Sequence, residues 1–246
     1  MGAHPKNLTT RAVADGADVL ITGEKAWVSN ALEASHIIVF AITGASGGAS
    51  GGEAAGRKLY SAFLVPVETL GLTITPMPGF HALAPSRHCA VTLGACRVPA
   101  SARLGPEGTA FEAMAMPFRD VEDAVGAAGL AGGFRFLLRG LGAAAPGTAE
   151  ADLGAIAGLT AVLEHGARAV VAALDAGRLH AEGAASVGLR VLAADIRARL
   201  GALLTAITPP PDPAWDRMLV DMDAILGIAQ GPRAIRQARL GASLRC

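Results

Sequence analysis

Three groups of residues are equipped for chemistry. Asp120, Glu122 and Asp123 place carboxylates within one helical turn of each other. A carboxylate in a dry pocket can serve as a general base. Acids gathered near a helix start more ordinarily form a solvated first turn, favoured by the helix dipole. Trp27 and Ser29 stand two residues apart at a strand end. Side chains alternate along a strand, so both are expected on one face. There the indole could cover a flat ring and the hydroxyl could bond its edge. The bland alternative is a core aromatic followed by a turn residue. His4, His36, His81, His88, His165 and His180 show neither HExxH nor metal-ligand spacing nor a nucleophile pairing, so no metal site is expected.

The elements that must position these groups change character along the chain. Asp18–Thr22, His36–Ile42, Tyr60–Val65, Leu72–Thr75 and Cys89–Leu93 are short β-branched or aromatic runs bounded by Gly, Pro or Asn. Gly44–Gly56 (GASGGASGGEAAG) lacks a Lys-Ser/Thr pair at P-loop spacing and a following helical pattern. It reads as a flexible hairpin excursion. Beyond Pro99 the period becomes helical, in Ile156, Leu159, Leu163, Val170 and Leu174, then in Leu189, Leu192, Ile196, Leu200, Leu203 and Ile207. Trp215, Met218, Met222, Ile225 and Leu226 form another stripe. Thr208–Pro213 (TPPPDP) separates two helices, and Gly231-Pro232 breaks and restarts the chain. The expected fold is α+β: an antiparallel β domain over residues 1–105, then an antiparallel helical bundle over residues 106–246.

At 246 residues the chain can bury a substantial core. Formal net charge is zero, so the basic surplus that neutralises phosphates is missing and no nucleic-acid partner is expected. Arg135 and Arg139 interrupt one apolar stretch, and Glu164, His165 and Arg168 another, which argues against membrane spans. No basic-then-apolar leader opens the sequence, and Cys89, Cys96 and Cys246 are an odd number without metal spacing. Both features suit a cytoplasmic protein.

Gly23-Glu24-Lys25-Ala26-Trp27-Val28-Ser29-Asn30 resembles the G-x-K-x-W-I/V-S/T-N segment of the acyl-CoA dehydrogenase family. Ala62-Phe63-Leu64-Val65-Pro66, then Cys89–Pro99 and Leu104-Gly105, are similar to that family's sheet and its exit. Gly108, Phe111, Met114 and Met116 resemble its entry into the helical domain. The resemblance implies FAD as cofactor, with Trp27 covering a face of the isoalloxazine and Ser29 bonding its N5 or O4 edge. It implies an acyl-CoA thioester as substrate, α,β-desaturation as the reaction, and a homo- or hetero-oligomer built through the bundle.

The sequence also departs from the pattern. The family's flavin-binding turn, roughly T/S-E-P-G-x-G-S-D, is entered partway at Met1-Gly2-Ala3-His4. The expectation is therefore a chain lacking the N-terminal helical domain, with a misassigned start codon as one explanation. Leu138–Glu150 carries no R-x-x-F-G, and Thr208–Pro213 replaces a Q-x-x-G-G-x-G flavin contact. FAD binding by this chain is accordingly expected to be weak or absent. Where many members keep a catalytic glutamate in I-Y-E-G-T, the chain reads Ile228-Ala229-Gln230-Gly231-Pro232, and an amide cannot take a proton. A second family arrangement keeps the glutamate on the first bundle helix, in a segment like L-D-L-E-R. Asp120-Val121-Glu122-Asp123 resembles it if the preceding loop holds one extra residue; Gly132 then falls on a usual glycine and Asp123 where arginine is expected. The resemblance thus makes Glu122 the base. The alternatives are a catalytically silent fragment or subunit pairing with an active homologue, and a flavin monooxygenase on the same fold.

Overall fold

The computed structural model describes residues 8–46, 56–144, 146–178, 183–207 and 212–245. They form two compact units, Met1–Pro117 and Phe118–Cys246.

The first unit is a seven-stranded sheet of β1 (Arg11–Asp15), β2 (Asp18–Ser29), β3 (His36–Ser46), β4 (Arg57–Pro66), β5 (Leu72–Pro76), β6 (His88–Pro99) and β7 (Arg103–Leu104). Its order is β5-β6-β2-β1-β3-β4-β7. All neighbouring pairs are antiparallel except β1 and β3, which meet in parallel at Arg11 and Ile42. The strands read from the sequence are present and longer than the runs that announced them. β1 and β7 carried no such run, because their side chains are mostly exposed or half-exposed. The Gly44–Gly56 excursion lies mainly outside the described residues, although Ser46 and Arg57 at its ends are paired.

Alternation decides the core of this unit. Val19 and Ile21 of β2, Val39 and Ala41 of β3, and Phe63 and Val65 of β4 turn inward. On β6 the inward set steps from Cys89, Val91 and Leu93 to Cys96 and Val98. A bulge causes the step: Gly94 and Ala95 together oppose Thr22, whose hydroxyl accepts the Ala95 N–H at 3.2 Å.

The second unit contains α1 (Met116–Ala144), α2 (Glu150–Asp175), α3 (Gly183–Ala206), α4 (Pro213–Gly227) and α5 (Gln230–Ser243). The last strand ends at Leu104, yet the compact β unit continues to Pro117 through a π-helical turn at Phe111–Ala115. Pro117 supplies a reason for that turn. It has no N–H for an i−4 carbonyl and its ring crowds that carbonyl, and a wider i→i+5 turn relieves both.

Along α1 the inward positions are Ala124, Ala127, Leu130, Ala131, Phe134, Leu137 and Leu141. They pack on Ile156, Leu163 and Val170 of α2, and on Ala193, Ile196 and Leu200 of α3. Fully burying a side chain such as Phe134 or Leu137 contributes about 1.5–3 kcal/mol. By length and composition Gly147–Asp175 could cross a bilayer. In this fold its Glu164 bridges Arg135 and Arg168, while its apolar stripe faces the bundle core. Asp212 caps α4 by accepting the Ala214 N–H at 2.8 Å, with Pro213 opening the helix. Ala229, at a φ of 55°, turns the chain from α4 into α5.

Candidate functional site

The end of β2 is shaped by its neighbours rather than by strand alternation alone. A Cβ on Gly23, whose φ is 149°, would lie 2.6 Å from the Thr10 Cα, so the position requires glycine. Lys25 Nζ donates to the Phe40 carbonyl at 2.7 Å. Burial lowers the Lys25 pKa to about 8. A second register shift falls between Lys25 and Val28, and Trp27 within it takes a left-handed φ of 56°. Trp27 therefore sits in a bulge, and Trp27 and Ser29 are both exposed with half-buried Val28 packed on the core between them. Trp27 is not a core residue, since 42% of it is exposed. Holding a bulky side chain at positive φ costs about 1–2 kcal/mol, a strain that clusters at functional positions.

Ser29 pairs across the sheet with His88, and its Oγ lies 3.2 Å from His88 Nε2. His88 packs on the Phe80 ring, with centroids 4.7 Å apart. His88, which showed no metal-ligand spacing or nucleophile pairing in the sequence, is thus the immediate partner of Ser29. Only the β2–β6 register could reveal it. Asn30, also at positive φ, closes the segment by donating its N–H to the Arg87 carbonyl.

In the second unit the acidic run of α1 is not a solvated first turn. The helical chain begins before Asp120, and the three acids diverge. Asp120 and Asp123 extend the inward stripe of Ala127, Leu130 and Phe134 by i, i+3 and i+7 spacing. Asp123 is buried and takes a hydrogen bond from Arg233 Nη2 at 2.6 Å, with Arg236 Nη1 at 3.4 Å. Asp120 is ion-paired with Arg236. Glu122 points away from this clasp. Its side chain is half exposed, and Arg119 Nε lies 3.7 Å from Oε2. Partial burial raises the Glu122 pKa, with Asp123 raising it further, while Arg119 and Arg233 pull it back. The π turn bears on the register as well, because it holds one residue more than an α turn and can house the extra residue that the Glu122 alignment needs. Gly132 makes no close contact that would demand glycine, whereas a Cβ on Gly133 would meet Met218 Sδ at 3.0 Å.

Gln230, at the start of α5, lines a cleft together with Asp123. The two segments from which a base could come, on α1 and at the α4–α5 corner, therefore approach each other. Glu122 itself is not among the residues lining that cleft. The sequence reading missed Arg190, Arg233 and Arg236. The signal for the last two was present, because Arg233/Arg236 repeat the i, i+3 spacing of Asp120/Asp123.

A β unit followed by five helices is the architecture of the middle and C-terminal domains of acyl-CoA dehydrogenases. Residues 1–96 match the model of the family described as acyl-CoA dehydrogenase, middle domain. The chain is 33% identical over 111 residues to probable acyl-CoA dehydrogenase YngJ of Bacillus subtilis, covering 45% of this chain and 27% of that protein. It is 34% identical over 111 residues to the mitochondrial short-chain specific acyl-CoA dehydrogenase of Homo sapiens, covering 45% of this chain and 25% of that protein. In fold it resembles a putative acyl-CoA dehydrogenase from Mycobacterium smegmatis, with a TM-score of 0.76 at 19% identity over 95% of this chain and 64% of that one. Glutaryl-CoA dehydrogenase from the same organism gives 0.71 at 21% identity over 99% and 62%. Residues 1–96 thus match an acyl-CoA dehydrogenase middle domain, and the fold of the chain is similar to that of acyl-CoA dehydrogenases. Its matched region spans about a quarter of the length of the curated relatives.

Such relatives imply FAD, and one solved neighbour, a glutaryl-CoA dehydrogenase, is described in complex with FADH2. The residues expected at the ring end of that cofactor are accessible: Trp27 is exposed, and Ser29 has a surface hydroxyl whose described partner is His88. Residues 1–7 and Thr208–Pro211, where two of the expected departures from the flavin-contacting pattern fall, lie outside the described residues.

Proposed function

We propose that the chain contributes flavin-binding and proton-abstracting groups to an FAD-dependent dehydrogenase acting on an acyl-CoA thioester, with Glu122 as the base. The observation that carries this reading is the division of labour on α1. Arginines of α5 engage Asp120 and Asp123, whereas Glu122 stays half exposed with a raised pKa. Desolvation makes a carboxylate a better base while leaving it reachable. FAD, when bound, supplies the acceptor for the β-hydride of the acyl chain. Trp27 would lie over one ring face, and Ser29 would hydrogen-bond the ring edge, exchanging His88 for that contact. Glu122 would accept the α-proton at a carboxylate oxygen, with Arg119 limiting how far its pKa rises. The same reading includes assembly through the bundle, which sizing in solution tests directly.

A second reading, a silent subunit, draws on Gln230 at the usual glutamate position and on Asp123 at the usual arginine, tied to Arg233. One experiment separates the readings. The protein is loaded with FAD, and the flavin band is followed anaerobically after a short-chain acyl-CoA is added. Bleaching by the parent chain and its loss in Glu122→Gln supports the dehydrogenase. Equal bleaching in both removes Glu122 from the role, and no bleaching in either favours the silent subunit. Oxygen consumption driven by reduced flavin would indicate a monooxygenase.

A further inference from the structure

The cleft of about 320 Å³ between α3 and α5 holds more positive charge than its own carboxylates neutralise. Arg190, Arg233 and Arg236 all reach it. Asp123 and Asp120 are taken up by Arg233 and Arg236. Among the described residues Arg190 has no ion-pair partner; its Nη2 donates to the Ile225 and Leu226 carbonyls at 3.0 and 3.3 Å. Those carbonyls sit at the C-terminal end of α4, where a cation is favoured, and leave the other nitrogens of Arg190 uncommitted. Arg233 Nε is buried and has no hydrogen-bond partner. Burial lowers the Arg190 pKa to about 10, with the neighbouring Arg233 lowering it further and Asp123 pulling it back.

The rest of the lining adds form to this surplus. Ser186, Gln230 and Gln237 offer neutral donors, and Val187, Val191, Ala194, Leu226 and Ala234 make an apolar wall. A purely structural clasp would need only Arg233 and Arg236 against the two aspartates. A third guanidinium turned into the same space, with donors unspent, answers to an anion.

We infer that this cleft binds an oxyanion, a carboxylate or phosphate carried on a compact apolar body, through the uncommitted nitrogens of Arg190, Arg233 being held by Asp123 and the Ile228 carbonyl. Planar guanidinium forks suit both groups, and one net positive charge suits a small monoanion or a partly neutralised phosphate. The site stands on α3 and α5 and requires neither FAD nor Glu122, so it survives or fails apart from the proposed dehydrogenase chemistry.

The test is titration of the parent chain with sodium butyrate and, separately, with inorganic phosphate, read by calorimetry and thermal shift at constant ionic strength. Binding by either is expected, and which one binds more tightly identifies the carboxylate or phosphate source. Arg190→Gln keeps a donor for the α4 carbonyls but removes the charge, and should weaken binding about tenfold or more. Ala194→Phe, at an exposed position on the cleft wall, should plug the space without touching an ion pair. It keeps the test decisive if Arg190→Gln does not fold. Lack of binding by the parent at tens of millimolar, or binding unchanged by a folded cleft variant, overturns the inference.

Discussion

Asp123 on α1 and Arg233 on α5 meet at 2.6 Å across 110 residues of sequence, and the aspartate is buried. This contact gives α5 a place in the bundle, because none of the residues of α5 is itself buried. The inward stripe of α1 ends in two aspartates rather than two leucines. The helix that covers them answers with arginines at matching spacing.

Removing one member of such a pair should be costly. Asp123→Ala leaves Arg233 partly buried without its anion, and truncations of this kind cost about 3–5 kcal/mol. Urea unfolding followed by circular dichroism measures the loss. Asp123→Leu combined with Arg233→Met should be much less destabilising than Asp123→Ala, because burying two apolar side chains avoids the desolvation of two charges.

Glu122 should behave differently from its neighbours. Being half exposed and 3.7 Å from Arg119, it should tolerate Glu122→Gln with a stability change within about 0.5 kcal/mol. In the FAD-loaded protein the same change should slow flavin reduction by an acyl-CoA about a hundredfold or more. Stopped-flow absorbance checks the rate, and the flavin-to-protein ratio confirms equal loading. Gln230→Glu in that background would restore part of the rate if the α4–α5 corner reaches the same α-carbon.

Lys25 predicts a pH dependence. Its folded pKa is about 8, below the ordinary 10.5, because burial disfavours the ammonium. Between those values the unfolded chain holds a proton that the folded chain has released, so this group makes stability rise with pH. Below about 8 the penalty of the buried charge is fully present, and above 10.5 it is gone. Lys25→Met should flatten that rise, measured as the parent-minus-variant difference in urea midpoint across the window. An identical pH profile in parent and variant would count against the assignment.

Trp27 combines exposure with a left-handed backbone, so Trp27→Gly removes contact area but also relieves strain. The net stability change should stay below about 1 kcal/mol. FAD affinity should nevertheless fall, and added FAD should quench less tryptophan emission in the variant than in the parent. The remaining tryptophan, Trp215, is buried in the bundle and serves as the internal control.

Gly140 tests the packing of α1 against α4. A Cβ there would sit 2.6 Å from Trp215 Nε1, and that indole is buried with little room to shift. Overpacking of about 1–3 kcal/mol should outweigh the helix-propensity gain of about 1 kcal/mol, so Gly140→Ala lowers the melting temperature. Gly129→Ala, where nothing lies within 4 Å of the new methyl group, should raise it instead.

Much of the fold was legible from local pattern. Alternating runs such as His36–Ile42 and helical stripes such as Leu189–Ile207 record burial on one face, and burial depends on a period that the sequence carries in full. β1 and β7 escaped because short strands with mostly exposed or half-exposed side chains leave little apolar trace. The candidate base and the tryptophan-serine segment were found through resemblance to known motifs, not through period.

What the tertiary structure alone decided is how neighbouring side chains part company. The sequence by itself determined that three acids lie together on a helix and that Trp27 precedes Ser29 by two. The partners that sent Asp120 and Asp123 inward and left Glu122 out are arginines more than a hundred residues away. The bulge at Trp27 comes from the register of β2 against β6, and the same register seats His88 beside Ser29. Ion pairing and strand register are set by groups brought together only on folding, so no local period could announce them.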